Sequence, residues 1–142
     1  MHFLSLLIID DNAIDRIILK KELQKIDYQG HVFEHVDGED ALTFLANFSD
    51  NQAKYGDSFP PQCILLDINM PRVNGFEFLQ EFSELKKQHA TYQHTHVIMI
   101  SSSERKRDCE KAFSYPSVKE YFIKGKYKLE DLKQVVTLKD LD

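Results

Sequence analysis

Four apolar runs along the chain close on a charged or hydroxylated residue: LLIIDD on Asp10 and Asp11, CILLDINMP on Asp67, VIMISSS on Ser101 and EYFIKG on Lys124. Short runs rich in Ile, Leu and Val predict strands buried on both faces. Between them the apolar spacing changes to the helical period. The predicted strands cover 3–9, 31–36 (HVFEHV), 62–67, 96–101 and 118–123, and the predicted helices 12–27, 38–48, 74–87, 103–114 and 127–138. Asn12 is the expected N-cap of the first helix, with Ile14, Ile17 and Ile18 as its inward stripe. Ala41, Leu42, Leu45 and Phe48 do the same for the second helix, and Phe76, Leu79, Phe82 and Leu85 for the third. Alternating strands and helices imply a (βα)5 α/β fold: a doubly wound, five-stranded parallel sheet with right-handed crossovers and helices on both faces.

Ligands bind at the C-terminal edge of such sheets. The four run ends therefore deliver three carboxylates, a hydroxyl and an ammonium to one place. Two longer connections, 49–61 and 86–96, enter strand starts at the opposite edge, where solvated loops or partner contacts are expected. The second carries His89, His94 and His96; a polar loop entering an edge strand is favoured over a zinc site, whose tight spacings need more ligands.

Composition narrows the class without naming the function. The 142 residues suit one domain over 1–142, and a net charge of −5 weighs mildly against nonspecific nucleic-acid binding. No apolar run approaches membrane-spanning length, and the N-terminal apolar stretch runs straight into the acidic pair rather than into a cleavage site. Cys63 and Cys109 form no disulfide framework, so a reduced, cytoplasmic protein is expected.

Asp10, Asp11 and Asp67, brought together on neighbouring strands, would repel one another unless a cation neutralised them. An oxygen-ligated ion that keeps several waters fits, with Mg²⁺ the first candidate and the Asn69 backbone carbonyl an added ligand. Taken alone, an Asp-Asp pair after a strand serves equally well to cap a helix. Lys124 changes the balance: an ammonium and a divalent cation flanking a carboxylate form a receptor for a phosphoryl group, with the carboxylate as in-line nucleophile. Ser101 supplies a hydroxyl for a phosphoryl oxygen, although a serine within SSSE can also cap a helix.

IIDDN, LLDINMPRVNGFEFL, MISSS and YFIK, in that order over essentially the whole chain, resemble the receiver domain of two-component response regulators, a flavodoxin-like fold of the CheY-like family. The resemblance implies that Asp67 is the phosphoacceptor, that Asp11 binds Mg²⁺ directly, and that Asp10 acts mainly through ordered water. It implies Ser101 as the switch hydroxyl, Tyr121 as the switch aromatic and Lys124 as the phosphate-contacting lysine. Pro71 and Gly75 would shape the turn after Asp67, with Asn74 capping the third helix. A sensor histidine kinase, a phosphotransfer protein or a small phosphodonor would charge Asp67. The phosphoryl group would then draw Ser101 and Lys124 inward, let Tyr121 fill the vacated space, and remodel the surface of the fourth helix, fifth strand and fifth helix (the 4-5-5 face).

The chain departs from the family pattern at Gly125, where proline usually follows the lysine, often through a cis bond; a trans bond is expected here because a non-proline cis bond costs about 2.5–4 kcal/mol. Ser102 stands where Ala or Gly is favoured, and Ser103 at a position associated with dephosphorylation. Arg105, Arg107, Lys111, Lys126 and Lys128 give the 4-5-5 face a basic character, suiting an acidic downstream protein, a second copy in a homodimer, or simply a solvated helix of mixed charge. Direct DNA binding is not expected of a stand-alone receiver without a helix-turn-helix. The alternatives are a phosphorylation-independent scaffold, which the intact acidic set and lysine oppose, and an Asp-nucleophile phosphatase, which lacks a second Asp two residues after Asp67. A nucleotide-binding protein is opposed by the absence of a glycine-rich loop after the first strand.

Overall fold

A computed structural model describes residues 2–137. Its sheet has five parallel strands in the order β2-β1-β3-β4-β5, formed by β1 (Leu6–Ile9), β2 (Val32–His35), β3 (Cys63–Leu66), β4 (His96–Ser101) and β5 (Val118–Ile123). The helices are α1 (Ala13–Lys25), α2 (Gly38–Ala46), α3 (Phe48–Tyr55), α4 (Gly75–Gln88), α5 (Lys106–Phe113) and α6 (Leu129–Val135). The doubly wound α/β class expected from the apolar pattern is therefore the observed one.

Strand alternation sends side chains to two separate cores. Leu7, Ile9, Ile64, Leu66, Val97 and Met99 pack with α2, α4 and α5, whereas Leu6, Ile8, Leu65, Ile98 and Ile100 pack with α1 and α6. β1, β3 and nearly all of β4 are buried on both faces, which is why their sequences are unbroken apolar runs. The edge strands β2 and β5 each bury only part of their residues. β4 is interior rather than the edge strand expected from its polar approach.

The element boundaries differ from expectation in physically legible ways. The first strand is shorter than 3–9, and Phe3 instead forms an isolated bridge to Thr137. The end of the last predicted helix, at 138, lies outside the described residues. The expected stripe on α1 is overturned: Ile14, Ile17 and Ile18 are exposed, and Leu19 and Leu23, with Ile26 at the C-cap, face the sheet. Two apolar stripes share this helix, and the one nearer its C-terminus lies against β1. Asn12 does cap α1, accepting the Asp15 N–H at 3.0 Å. On α4, Phe78 takes the buried place expected of Phe76, which is only partly covered.

Both long connections carry structure. The predicted second helix breaks at Asn47, so Phe48 opens α3 instead of ending α2. Within 86–96, a short 3-10 helix (Ala90–His94) buries Tyr92 completely, and its hydroxyl donates to the Leu45 carbonyl at 2.6 Å. Phe48, Phe59, Phe82 and His89 surround that ring, so the segment is a plug for the core between α2 and α4. His89 stacks on Phe48 and His96 begins β4, so the three histidines are spent on packing and loop positions. The packing predicts that Tyr92→Ala destabilises the fold by about 3–5 kcal/mol. Tyr92→Phe, losing only the hydrogen bond, is expected to cost about 1–2 kcal/mol. Urea unfolding of the two variants measures both values.

Candidate functional site

β1 and β3 lie side by side at the centre of the sheet, with Ile9 opposite Leu66. Each ends on a carboxylate, and the Asp67 N–H donates to the Ile9 carbonyl at 3.0 Å. This is also where the strand order reverses, the place at which doubly wound sheets open a crevice. The ridge of the sheet thus sets Asp10 and Asp67 at neighbouring strand ends, both buried, with exposed Asp11 one residue further on. One carboxylate oxygen from each of Asp10, Asp11 and Asp67 lies within 4.8 Å of the other two.

Hydrogen bonds hold each acid in place. Asp10 Oδ1 accepts the Asn12 N–H at 2.9 Å, and the Asp10 carbonyl accepts from Arg16 at 2.6 Å. Arg16 also pairs with Glu34 on β2, anchoring the first turn of α1 across the sheet. Asp67 Oδ1 accepts the Ile68 N–H at 2.8 Å, leaving Oδ2 toward Lys124. Lys124 follows β5, and its N–H donates to the Ser101 carbonyl, which places its ammonium over the same edge. That ammonium lies 2.9 Å from Asp10 and 3.4 Å from Asp67, and also 2.8 Å from Asp15 in the first turn of α1. Asp15 was missed in the sequence; a charged residue four positions after Asp11 on a helix carries no local signal that it meets residue 124.

The electrostatics follow from crowding. Burial, and then the neighbouring Asp10, raise the Asp67 carboxyl to about 6, although Lys124 and the Ile68 N–H pull it the other way. Burial works against the Lys124 ammonium too, but bonds to Asp15 and Asp10 and the charge of Asp67 hold it well above an ordinary lysine. The site carries more negative charge than one ammonium balances. Its donor set is all oxygen and mostly buried, which fits a hard divalent cation such as Mg²⁺.

The loop after Asp67 is held from two directions. Asn74 and Glu77 form a reciprocal capping box at the start of α4, as expected for Asn74. A Cβ on Gly75 would lie 2.5 Å from the Asp67 carbonyl, so only glycine allows this approach. Exposed Asn69 and Pro71 lie in the same loop, and Arg72 ties it to buried Asp37 at the start of α2. Gly125 has φ +77°, a conformation that proline cannot adopt. The cis peptide bond among the described residues is Phe59–Pro60, so Lys124–Gly125 is trans.

Ser101 and Tyr121 are joined through one loop residue. Ser101 is fully buried and its hydroxyl accepts the Ser103 N–H at 3.1 Å, while the Tyr121 hydroxyl donates to the Ser103 carbonyl at 2.9 Å. Exposed Ser102 lies between them in sequence, and the Ser103 hydroxyl turns to Asp108 on α5. Ser101, Tyr121 and α5 therefore meet at the backbone and side chain of residue 103.

Comparison with known proteins agrees with this geometry. A family model described as the response regulator receiver domain matches residues 6–137. A curated relative, the probable methanogenesis regulatory protein FilR2 of Methanothrix harundinacea, is 26% identical over 92% of this chain and 77% of its own length. A two-component response regulator from Cytophaga hutchinsonii superposes with a TM-score of 0.75, at 26% identity and 95% coverage of both chains. The receiver domain of the histidine kinase CKI1 from Arabidopsis thaliana, solved with Mg²⁺ and BeF3⁻, gives a TM-score of 0.75 at 22% identity, covering 94% of this chain and 87% of that one.

The raised Asp67 carboxyl makes a prediction about stability. A folded-state value above the unfolded one means that the fold holds the proton more tightly, so the group's contribution to stability is lost as pH rises from about 4 through about 6. Asp67→Asn removes that penalty. In chelator at neutral pH the variant is expected to melt higher than the parent, with the gap closing toward about pH 4. Thermal melts across that range check the sign.

Proposed function

Because this chain belongs to the response regulator receiver domain family, we propose that it accepts a phosphoryl group on Asp67 and changes its binding surface in response. The observation carrying this reading is Asp67 Oδ2, a buried carboxylate oxygen that faces the Lys124 ammonium within an all-oxygen acidic pocket while the Ile68 N–H takes Oδ1. In the transfer from a phosphohistidine, Oδ2 attacks phosphorus in line. The new O–P bond forms as the P–N bond breaks, and the departing imidazole takes its proton from solvent. Lys124 binds an equatorial oxygen and so offsets charge on the transferring group.

Asp10, Asp11, Asp67 and the Asn69 carbonyl would hold Mg²⁺, which supplies positive charge for the phosphoryl oxygens when bound. Asp11, the exposed member, is the one reached most readily from solvent. A second carboxylate able to act as acid or base is missing two residues after Asp67, where Asn69 stands, so hydrolysis as a dedicated phosphatase is disfavoured.

The phosphodonor docks beside α1 in this reading. Ile14, Ile17 and Ile18 leave an apolar stripe on that helix, and Ile18 also lines the cavity containing Asp67 and Lys124. An exposed apolar stripe adjoining a nucleophile fits the apolar helix face of a sensor kinase or phosphotransfer protein. The signal then leaves from the opposite end of the site. Ser101 shifts toward the phosphoryl oxygens and gives up the Ser103 N–H, and Tyr121 and α5 follow because both are bonded to Ser103. The expected 4-5-5 face corresponds to α5, β5 and α6 here, since α3 intervenes in the numbering. Part of its basic character is locally used: Lys111 lies over the Phe76 ring and Lys126 pairs with Glu104. Arg105, Arg107 and Lys128 remain exposed for an acidic partner protein or a second copy.

Incubation with Mg²⁺ and acetyl phosphate, followed by intact mass measurement, is expected to add one phosphoryl group to the parent protein. Asp67→Asn or excess chelator abolishes the gain. A parent protein that stays unmodified with both acetyl phosphate and a phosphohistidine donor would instead favour a phosphorylation-independent scaffold.

A further inference from the structure

Lys124 is held at rest by a carboxylate outside the acidic cluster. Its ammonium is 2.8 Å from Asp15 Oδ2, nearer than to Asp10 at 2.9 Å and much nearer than to Asp67 at 3.4 Å. An ammonium has three donor hydrogens, so these three acceptors use its capacity. Asp15 is not free to drift away. Its N–H is fixed by the Asn12 cap, and the next residue along α1 is Arg16, bonded to the Asp10 carbonyl and Glu34. Two turns on, Glu22 accepts from the Tyr127 hydroxyl, tying α1 to the segment that follows Lys124. Between these two links lies a cavity of about 300 Å³ lined by Asp10, Asp15, Glu22, Asp67, Lys124 and Tyr127, which gives the lysine head room to move.

Resting on the phosphoacceptor reading, we propose that Asp15 is a positioning residue that competes with the phosphoryl group on Asp67 for the Lys124 ammonium. A phosphoryl group brings close to two negative charges and three acceptor oxygens to within the reach of Lys124. To meet them, Lys124 gives up or stretches its bond to Asp15, leaving a partly buried carboxylate short of a partner. Asp15 therefore favours the unphosphorylated arrangement and limits how strongly Lys124 grips the modified one. Asp10 also touches the ammonium, at 2.9 Å, but as a member of the acidic cluster that would hold the cation, whereas Asp15 lies outside that cluster and approaches from the α1 side.

The test uses BeF3⁻ as a phosphoryl mimic, titrated at saturating Mg²⁺ by calorimetry into the parent protein, Asp15→Asn, Asp15→Glu, Lys124→Met and the Asp15→Asn/Lys124→Met double variant. Asp15→Asn is expected to tighten BeF3⁻ binding threefold or more, and Asp15→Glu to return it to the parent value. In the Lys124→Met background the same substitution is expected to change nothing, because the competition runs through the ammonium. Unchanged or weaker binding by Asp15→Asn would overturn the proposal. Equal tightening with and without Lys124 would overturn it too, reducing Asp15 to a general charge near the site. A parent protein that binds no BeF3⁻ overturns the phosphoacceptor reading along with it, whereas a parent that binds and an Asp15→Asn variant that does not differ removes only the role of Asp15.

Discussion

The arrangement of this protein depends on placing two buried carboxylates, Asp10 and Asp67, at the ends of adjacent central strands and balancing them with one ammonium. Like charges in a partly dry site repel, and here the cost is visible in the raised Asp67 carboxyl. The fold meets it with fixed donors: backbone N–H groups of Asn12 and Ile68 on the carboxylates, and Lys124 across the gap. Those donors leave the cluster short of positive charge. A folded site that retains uncompensated negative charge beside a shifted carboxyl is a candidate for chemistry on a charged group.

The scaffold keeps that tension in one geometry. Gly75 brings the start of α4 against the Asp67 carbonyl, and Arg72 with Asp37 pins the intervening loop to α2. Burial alone would keep Asp37 protonated more readily, yet the Asp40 N–H and the Arg72 guanidinium hold its carboxyl below the usual range. On the other side, Ser103 collects bonds from Ser101, Tyr121 and Asp108. Movement of one side chain at the site therefore has a short covalent and hydrogen-bonded route to α5, without any rearrangement of the sheet. Ser101 and Tyr121 share this residue already in the structure, so the proposed switch would act as one coupled loop rather than as a hydroxyl leaving and a ring entering afterwards.

Much of this was legible in the amino-acid pattern, and the omissions have physical causes. Strands buried on both faces announce themselves as apolar runs, which is why the ends of β1, β3 and β4, and hence Asp10, Asp67 and Ser101, could be placed; β5 is only partly buried, and its end at Lys124 was marked by the apolar YFI that precedes it. On α1 the pattern misled, because Ile14, Ile17 and Ile18 form as regular a stripe as Leu19, Leu23 and Ile26, and only the sheet decides which is covered. α3 was hidden because SDNQAKY is polar and short, so its helix owes more to the packing of Phe48 and Tyr55 at its ends than to its own periodicity. Asp15 was invisible for a different reason: its partner is 109 residues away, and nothing local marks the contact.

The claim on which everything else rests is that Asp67, rather than another carboxylate of the cluster, takes the phosphoryl group. Borohydride reduces an aspartyl phosphate to homoserine, so treating the protein after exposure to acetyl phosphate and Mg²⁺, then mapping its peptides by mass spectrometry, locates the acceptor. Homoserine at position 67 alone is the predicted result; homoserine at position 10, 11 or 15, or at none of them, would contradict it.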